Sequence, residues 1–240
     1  MIKPYRSEGS KKEQVAEMFD NIAYRYDFLN HFLSMGIDKI WRRKAIGELT
    51  LLQPKRILDI ATGTGDLALA ALKLNPSEIV GIDISEEMLV FAKKKIEKAG
   101  KSSIIKFVKG DSEQLQFTDQ SFDAAMAAFG VRNFENLQMG LNEIFRILTP
   151  GGKAVILEFS QPQNFFFKSI YHFYFFKIVP LFGKMFSKDS RAYSYLPESV
   201  NAFPDGERFL EYMKNAGFSK LKNRPLTFGI ASIYTGEKAR

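Results

Sequence analysis

The sequence predicts an α/β protein built on a doubly wound, mostly parallel, seven-stranded sheet. Three observations carry that prediction. Between Arg56 and Phe159, short apolar runs alternate with segments of helical periodicity, which is the pattern of βαβ units. The first apolar run ends in an acid and opens into a glycine loop, Asp59 to Ala68. Acids then recur at the ends of the second and third runs, where an open sheet of this kind places its ligand crevice.

The elements follow in order. Residues 11–28 read as a helix, with Val15, Met18, Phe19 and Ile22 at i, i+3, i+4 and i+7. A second helix is expected over 38–51, opened by Gly36 and stopped before Pro54, so residues 1–53 form an N-terminal helical cap. Strands are expected at 56–60, 78–83, 104–111, 121–128 and 153–159. Helices at 65–74, 86–100 and 137–148 separate them; Gly100 caps one, and Thr149-Pro150-Gly151-Gly152 ends another. Residues 160–203 break the alternation and read as a helical lid insertion. A helix at 206–216 places Phe209, Leu210 and Met213 on one face, and strands at 219–226 and 230–237 lie close enough to pair antiparallel. One domain, 1–240, is the expectation at this length.

Composition narrows the chemistry. Apolar residues make up 45% and charged residues 25%, as in an ordinary globular protein. The absence of cysteine excludes disulfides, thiolate metal sites and a cysteine nucleophile, and two histidines exclude a histidine-rich metal centre, so no metal is expected. Lys and Arg exceed Asp and Glu by 34 to 27, giving a net +7 without any long basic run, which argues against a nucleic-acid partner. No segment approaches the roughly 20 apolar residues of a membrane span. The polar start, MIKPYRSEGSKKEQ, is not a secretory signal, and the expected location is cytoplasmic.

The glycine loop carries the clearest functional signal. Gly63 and Gly65 bracket Thr64 directly after the first strand, and glycine there lets a ligand approach the backbone closely. The spacing Gly63-x-Gly65-x-x-Ala68 with Asp83 at the end of the next strand fits an adenosine-bearing cofactor whose ribose hydroxyls meet the acid. Asp59 and Asp66, beside the loop, would repel a pyrophosphate but suit a cofactor with a cationic amino group and a sulfonium, as in S-adenosylmethionine. Asp111 and Ser112, ending the third strand, are placed to read an adenine edge.

At this point the motifs support a family. ILDIATGTGDLA (57–68), GIDISEEML (81–89), FGVRNFEN (129–136), EIFRILTPGG (143–152), the N-terminal block 18–44, the segment 178–200 and the closing GIASIYTGEK together resemble the quinone C-methyltransferases of menaquinone and ubiquinone biosynthesis, within the class I S-adenosylmethionine-dependent methyltransferases. The resemblance covers nearly the whole chain. It implies a Rossmann-like methyltransferase fold and methyl transfer to a ring carbon of a prenylated demethyl hydroquinone, demethylmenaquinol above all. Its cofactor contacts carry over to Thr64, Asp83 and the Asp111-Ser112 pair, and Ile84 and Met88 complete the expected cofactor set with Asp59, Gly63 and Gly65. One departure is Ala128, where many members carry serine, so a hydroxyl contact is lost.

The expected reacting groups lie after the fourth strand and in the insertion. Arg132 stays protonated and suits phenolate stabilisation, and Asn133 suits a hydrogen bond to a ring oxygen. Asp189, Tyr195, Tyr193 and His172 are further candidates in the segment expected to close over the site. The insertion holds eight Phe between 165 and 186, and four Lys (168, 177, 184, 188) without an acid between Phe159 and Lys188. That pattern fits a helix pair packed on the sheet, and also a surface that receives an isoprenoid tail and touches an anionic membrane leaflet. Other classes stay open: another small-molecule methyltransferase, a nicotinamide-dependent reductase of similar fold, a methyltransferase-fold binding protein, and an RNA or protein methyltransferase. Asp59 and Asp111 argue against the reductase, and intact loop acids argue against the binder. The Asn-Pro-Pro-Tyr-like motif frequent in RNA and protein N-methyltransferases is replaced here by AAFGVRN (127–133). Oligomeric state is left open.

Overall fold

The computed structural model describes residues 2–5, 8–174 and 190–240. Helices α1 (Lys11–Leu33) and α2 (Ile37–Gly47) precede β1 (Arg56–Ile60). Then follow α3 (Asp66–Ala71), β2 (Glu78–Asp83), α4 (Glu86–Lys98), β3 (Ile105–Lys109), β4 (Phe122–Ala128), α5 (Leu137–Ile147) and β5 (Leu148–Phe159). After β5 come α6 (Phe165–Phe173), α7 (Ser190–Ala202), α8 (Glu207–Asn215), β6 (Ser219–Leu226) and β7 (Ala231–Glu237). The strands form one sheet in the order β3-β2-β1-β4-β5-β7-β6. It is parallel except for β7, which runs antiparallel to both β5 and β6. The order reverses between β1 and β4, and such a switch point opens a crevice at the carboxyl ends of the strands.

Both faces of the sheet are covered, because the strands alternate two apolar sets. Leu58 and Ile60 of β1 point to a core built with Leu141 and Ile144 of α5 and Phe209 and Met213 of α8. Ile57 points the other way, to a core with Trp41 of α2, Leu67 and Ala71 of α3, and Ile96 of α4. Helix α1 is set apart from the sheet. Its Val15, Met18 and Ile22 pack on Met88 of α4 and on Ala192 and Tyr195 of α7. A capping box starts it, with Ser10 N–H donating to Glu13 Oε2 at 2.8 Å and Glu13 N–H to Ser10 Oγ at 3.2 Å.

Two boundaries differ from expectation for physical reasons. Helix α1 continues to Leu33, and Met35 and Gly36 in the left-handed region then turn the chain into α2. Strand β5 begins at Leu148, because Thr149 to Gly152 bulge out between the pairs Phe122↔Leu148 and Ala124↔Lys153 and the ladder then resumes. Helices α6 and α7 lie within the segment expected to hold a helix pair, and the side chain of Lys168 is exposed as expected. Lys177, Lys184 and Lys188 lie outside the described residues. Among the described residues, no helix is long and apolar enough to cross a membrane.

Candidate functional site

Two cavities open side by side above the tips of β1 to β4. The first, about 640 Å³ with its open mouth, is floored by Ala61 and Gly63 after β1, Asp83 and Ile84 at β2, and Asp111, Ser112 and Glu113 after β3. Met88 of α4, Ala128 to Gly130 at the end of β4, and Asn133 to Glu135 beyond it complete its wall, and Lys12, Val15, Phe19 and Tyr26 of α1 cover it.

Asp83 organises this cleft. Its Oδ2 accepts from the Gly63 N–H at 2.7 Å and its Oδ1 from the Ser85 N–H at 2.9 Å, so one carboxylate ties the loop after β1 to the start of α4. Ser85 in turn caps α4 by accepting from the Met88 N–H at 3.1 Å. Burial pushes the Asp83 carboxyl up to about 6, against the pull of these backbone donors. Gly63 has φ +56, and a Cβ there would meet only Tyr26 Cε1 at 3.9 Å, so the loop backbone faces open space in the cleft. Asp111 also lines the cleft, but its Oδ2 accepts from Lys12 Nζ and its Oδ1 from the Glu113 N–H at 2.9 Å.

Four residues expected beside the ligand do not line this cleft. Asp59 is buried beneath the loop, where it accepts from Thr62 Oγ1 at 2.6 Å; burial raises its pKa to about 7. Gly65, at φ +83, is required by packing, since a Cβ there would lie 2.9 Å from Phe107 Cζ. Thr64 turns away from the cleft to donate to Asp27 and accept from Lys95 Nζ at 3.0 Å. Asp66 joins the same cluster, 2.8 Å from Lys95 Nζ and 3.3 Å from His31 Nε2. None of the four lines the cleft. The negative wall is instead made by Asp83, Asp111, Glu113 and Glu135.

The second cavity is larger, about 1560 Å³ with its open mouth, and mostly apolar. Met18, Phe19 and Ile22 of α1, Trp41 of α2, Phe159 of β5, and Tyr171, Tyr195 and Leu196 of α6 and α7 form its walls. Phe19, Tyr26, Phe129 and Asn133 line both cavities, so the two meet at a shared wall. Phe129 holds φ +60, an uncommon conformation for a bulky residue, and Ala61 at the tip of the neighbouring strand β1 holds φ +51. The Phe129 N–H donates to Leu157 O at 2.8 Å, and its ring lies 4.6 Å from that of Phe159, which fixes the strained turn.

The polar groups of the second cavity are few. Asn133, 7% exposed, presents a side-chain oxygen with no hydrogen-bond partner among the described residues. Tyr195, 2% exposed, has an equally unpartnered hydroxyl, and burial raises its pKa to about 12, so it remains a donor. Arg132 is not a free cation. Its Nη1 lies 2.9 Å from Oε1 of the fully buried Glu158, and its Nε donates to Ser199 Oγ at 3.3 Å. Asp38 lines the cavity too, but Ser34, Arg42 and His31 surround it. Burial pushes its pKa up, yet those partners outweigh burial and hold it below the ordinary value. His172 is exposed on α6 and lines neither cavity. Asp189 and the side chain of Tyr193 lie outside the described residues.

Sequence reasoning missed Lys12, Glu113, Tyr26 and Phe129 in the first cavity and Asp38, Arg42 and Trp41 in the second. Phe19 belonged to a helical stripe that reads as core, and only the tertiary fold lifts part of that stripe over the cleft. Glu158 left a signal: an acid inside an otherwise apolar strand calls for a buried cation.

The ubiE/COQ5 methyltransferase family matches residues 7–238. The chain is 49% identical over 238 residues to a demethylmenaquinone methyltransferase of Bacteroides fragilis, covering 99% of this chain and 97% of that one. It is 48% identical over 230 residues to a ubiquinone/menaquinone biosynthesis C-methyltransferase of Geotalea daltonii, covering 95% and 97%. Among solved structures it is similar in fold to an S-adenosylmethionine-dependent methyltransferase of Thermotoga maritima, described as a possible histamine N-methyltransferase. The TM-score there is 0.62 at 21% identity, over 92% of this chain and 99% of that one.

Proposed function

The chain belongs to the ubiE/COQ5 methyltransferase family, and from that premise we propose how its two joined cavities divide the work. The protein is an S-adenosylmethionine-dependent C-methyltransferase, and its reaction is methylation of a prenylated demethyl hydroquinone, demethylmenaquinol to menaquinol. The single observation that carries the division is the wall of Phe19, Tyr26, Phe129 and Asn133 shared by a polar, acid-lined cleft and an apolar cavity.

The residues of the smaller cleft fit the methyl donor. Asp83 would meet its ribose hydroxyls, Ile84 and Met88 would pack on its adenine, and Asp111 and Ser112 would face the adenine edge. The open loop at Gly63 gives backbone access. Bound there, S-adenosylmethionine supplies an electrophilic methyl group on a positively charged sulfur. The chain's own part is alignment and desolvation, which provide most of the gain when two reactants must meet in line.

The larger cavity takes the hydroquinone. Asn133 Oδ1 accepts from a ring hydroxyl and Tyr195 donates to a ring oxygen; each satisfies a buried group otherwise left without a partner. Loss of the hydroxyl proton pushes electron density to the ortho carbon, which forms the new C–C bond as the S–C bond breaks. The ring proton on that carbon then leaves and restores aromaticity. Arg132, paired with Glu158, holds the turn that carries Asn133 and contributes its field. Asp38 is a weak base among its three partners, so the protons leave to water.

Exposed apolar groups rim the mouth of the larger cavity. Met35 and Phe167 line it, and Phe228 stacks on Phe167 at a centroid distance of 4.0 Å while remaining exposed. With Phe28, Phe32 and Phe166, also exposed, they offer a place for the isoprenoid tail and a contact with an anionic membrane surface, in keeping with the net +7. Purified protein should co-sediment with anionic vesicles at low salt, and the absence of binding contradicts this contact.

The function itself is tested by transfer of a labelled methyl group to demethylmenaquinol, with a demethyl benzoquinol in parallel; no transfer to either acceptor contradicts the reading. Thr64 provides a control on the cofactor set. Thr64→Val should lower stability by about 1 kcal/mol, the worth of a typical hydrogen bond, and leave affinity for S-adenosylhomocysteine unchanged in calorimetry.

A further inference from the structure

The first turn of α1 is bolted to both halves of the site. Lys11 is 8% exposed. Its Nζ donates to the carbonyl of Phe134 at 2.7 Å and to that of Arg132 at 3.1 Å, the two carbonyls that flank Asn133. Its own N–H donates to Glu135 Oε1 at 3.1 Å, and the Glu135 N–H donates to Glu113 Oε1 at 2.7 Å. The next residue, Lys12, pairs with Asp111 and lies 3.6 Å from Glu113 Oε2, on the wall of the donor cleft. One turn of helix therefore touches the tip of β3, where the donor's adenine is placed, and the 3₁₀ turn Val131–Asn133, which presents the acceptor's partner.

We infer that Lys11 is a positioning residue for methyl transfer: from the helix that covers the donor cleft it holds the turn bearing Asn133, so one element orders both halves of the site. This rests on the assignment of Asn133 to the acceptor. An ammonium between two carbonyls is costly to bury and is retained here at a turn rich in function. Burial lowers the Lys11 pKa to about 8. Arg132 adds to the lowering, and Glu113 and Glu135 oppose it. The charge that holds the turn is thus lost as pH rises through about 8.

The test is a double-mutant cycle on Lys11→Met and Asn133→Ala, with kcat, KM for demethylmenaquinol and affinity for S-adenosylhomocysteine measured on folded protein. Lys11→Met should lower kcat by roughly tenfold to 100-fold, the scale of a small misplacement of a reacting group, with donor affinity little changed. In the Asn133→Ala background the same change should have almost no further effect, because Lys11 acts through that turn. Full additivity, or a loss confined to donor affinity, overturns the inference. Wild-type turnover in Asn133→Ala instead overturns the acceptor assignment, independently of Lys11. Should Lys11→Met fail to fold, Lys11→Arg keeps the charge at all working pH. Its kcat should then lack the fall that wild-type shows through about pH 8, and an identical fall in both proteins overturns the inference.

Discussion

Asp83→Ala should weaken binding of S-adenosylhomocysteine by roughly 100-fold or more in calorimetric titration. Two hydrogen bonds from a ribose diol to a carboxylate are each worth about 1.5–3 kcal/mol, and tenfold in affinity is about 1.4 kcal/mol. The change also frees the Gly63 and Ser85 N–H groups, so the loop after β1 and the start of α4 lose their common anchor. The pH dependence has a definite sign. Burial places the Asp83 pKa at about 6, and donor affinity should rise as pH increases through that value and the carboxyl ionises. Stability moves the other way. The folded state holds the proton more tightly than an unfolded aspartate with pKa 3.8, so this group's contribution falls as pH rises from about 4 to about 6. Asp83→Asn should remove the limb near pH 6 from the affinity profile. An affinity within about threefold of wild type in Asp83→Ala contradicts the placement of the donor.

The second large effect belongs to Arg132. Its side chain is 7% exposed, and Glu158, at 0%, has no solvent to fall back on. Arg132→Ala should cost about 3–5 kcal/mol of folding stability by stranding a buried carboxylate, and turnover should collapse as the turn bearing Asn133 loosens. The paired change Arg132→Met with Glu158→Gln should recover much of the stability in denaturant titration but not the turnover. That separation distinguishes a group that organises the reacting turn from one that only holds the fold together. Recovery of turnover along with stability contradicts a role for Arg132 beyond packing.

The fold was largely legible because its signals are local. Each parallel strand is an apolar run bounded by a turn, each helix shows an apolar face, and Gly63 and Asp83 stand at fixed offsets from strand ends. The paired C-terminal strands could be anticipated from their closeness in sequence, and β6 and β7 do pair antiparallel. The site was legible only as a location. Asp83, Ile84, Met88, Asp111 and Ser112 do line one cleft, and Asn133 does reach the wall between the cavities.

What escaped the sequence was partnership across long separations. Thr64 finds Asp27 of α1 and Lys95 of α4, Asp111 finds Lys12, and Arg132 finds Glu158. No periodicity encodes such pairs, because they depend on how α1 is laid across the strand tips. For the same reason Asp59 and Asp66 reversed their expected meaning. One supports the loop from beneath, and the other belongs to an ion cluster between helices. An acid beside a glycine loop specifies negative charge, but the fold decides which acids face the cleft.

The most direct measurement of the central claim is a crystal structure with S-adenosylhomocysteine and a demethyl naphthoquinol bound together. The account predicts the ribose on Asp83, the sulfur at a gap in the wall of Phe19, Tyr26, Phe129 and Asn133, and the quinol ring meeting it directly through that gap with an oxygen on Asn133. A nucleoside seated away from Asp83, or a quinol ring separated from the sulfur by that wall, would contradict it.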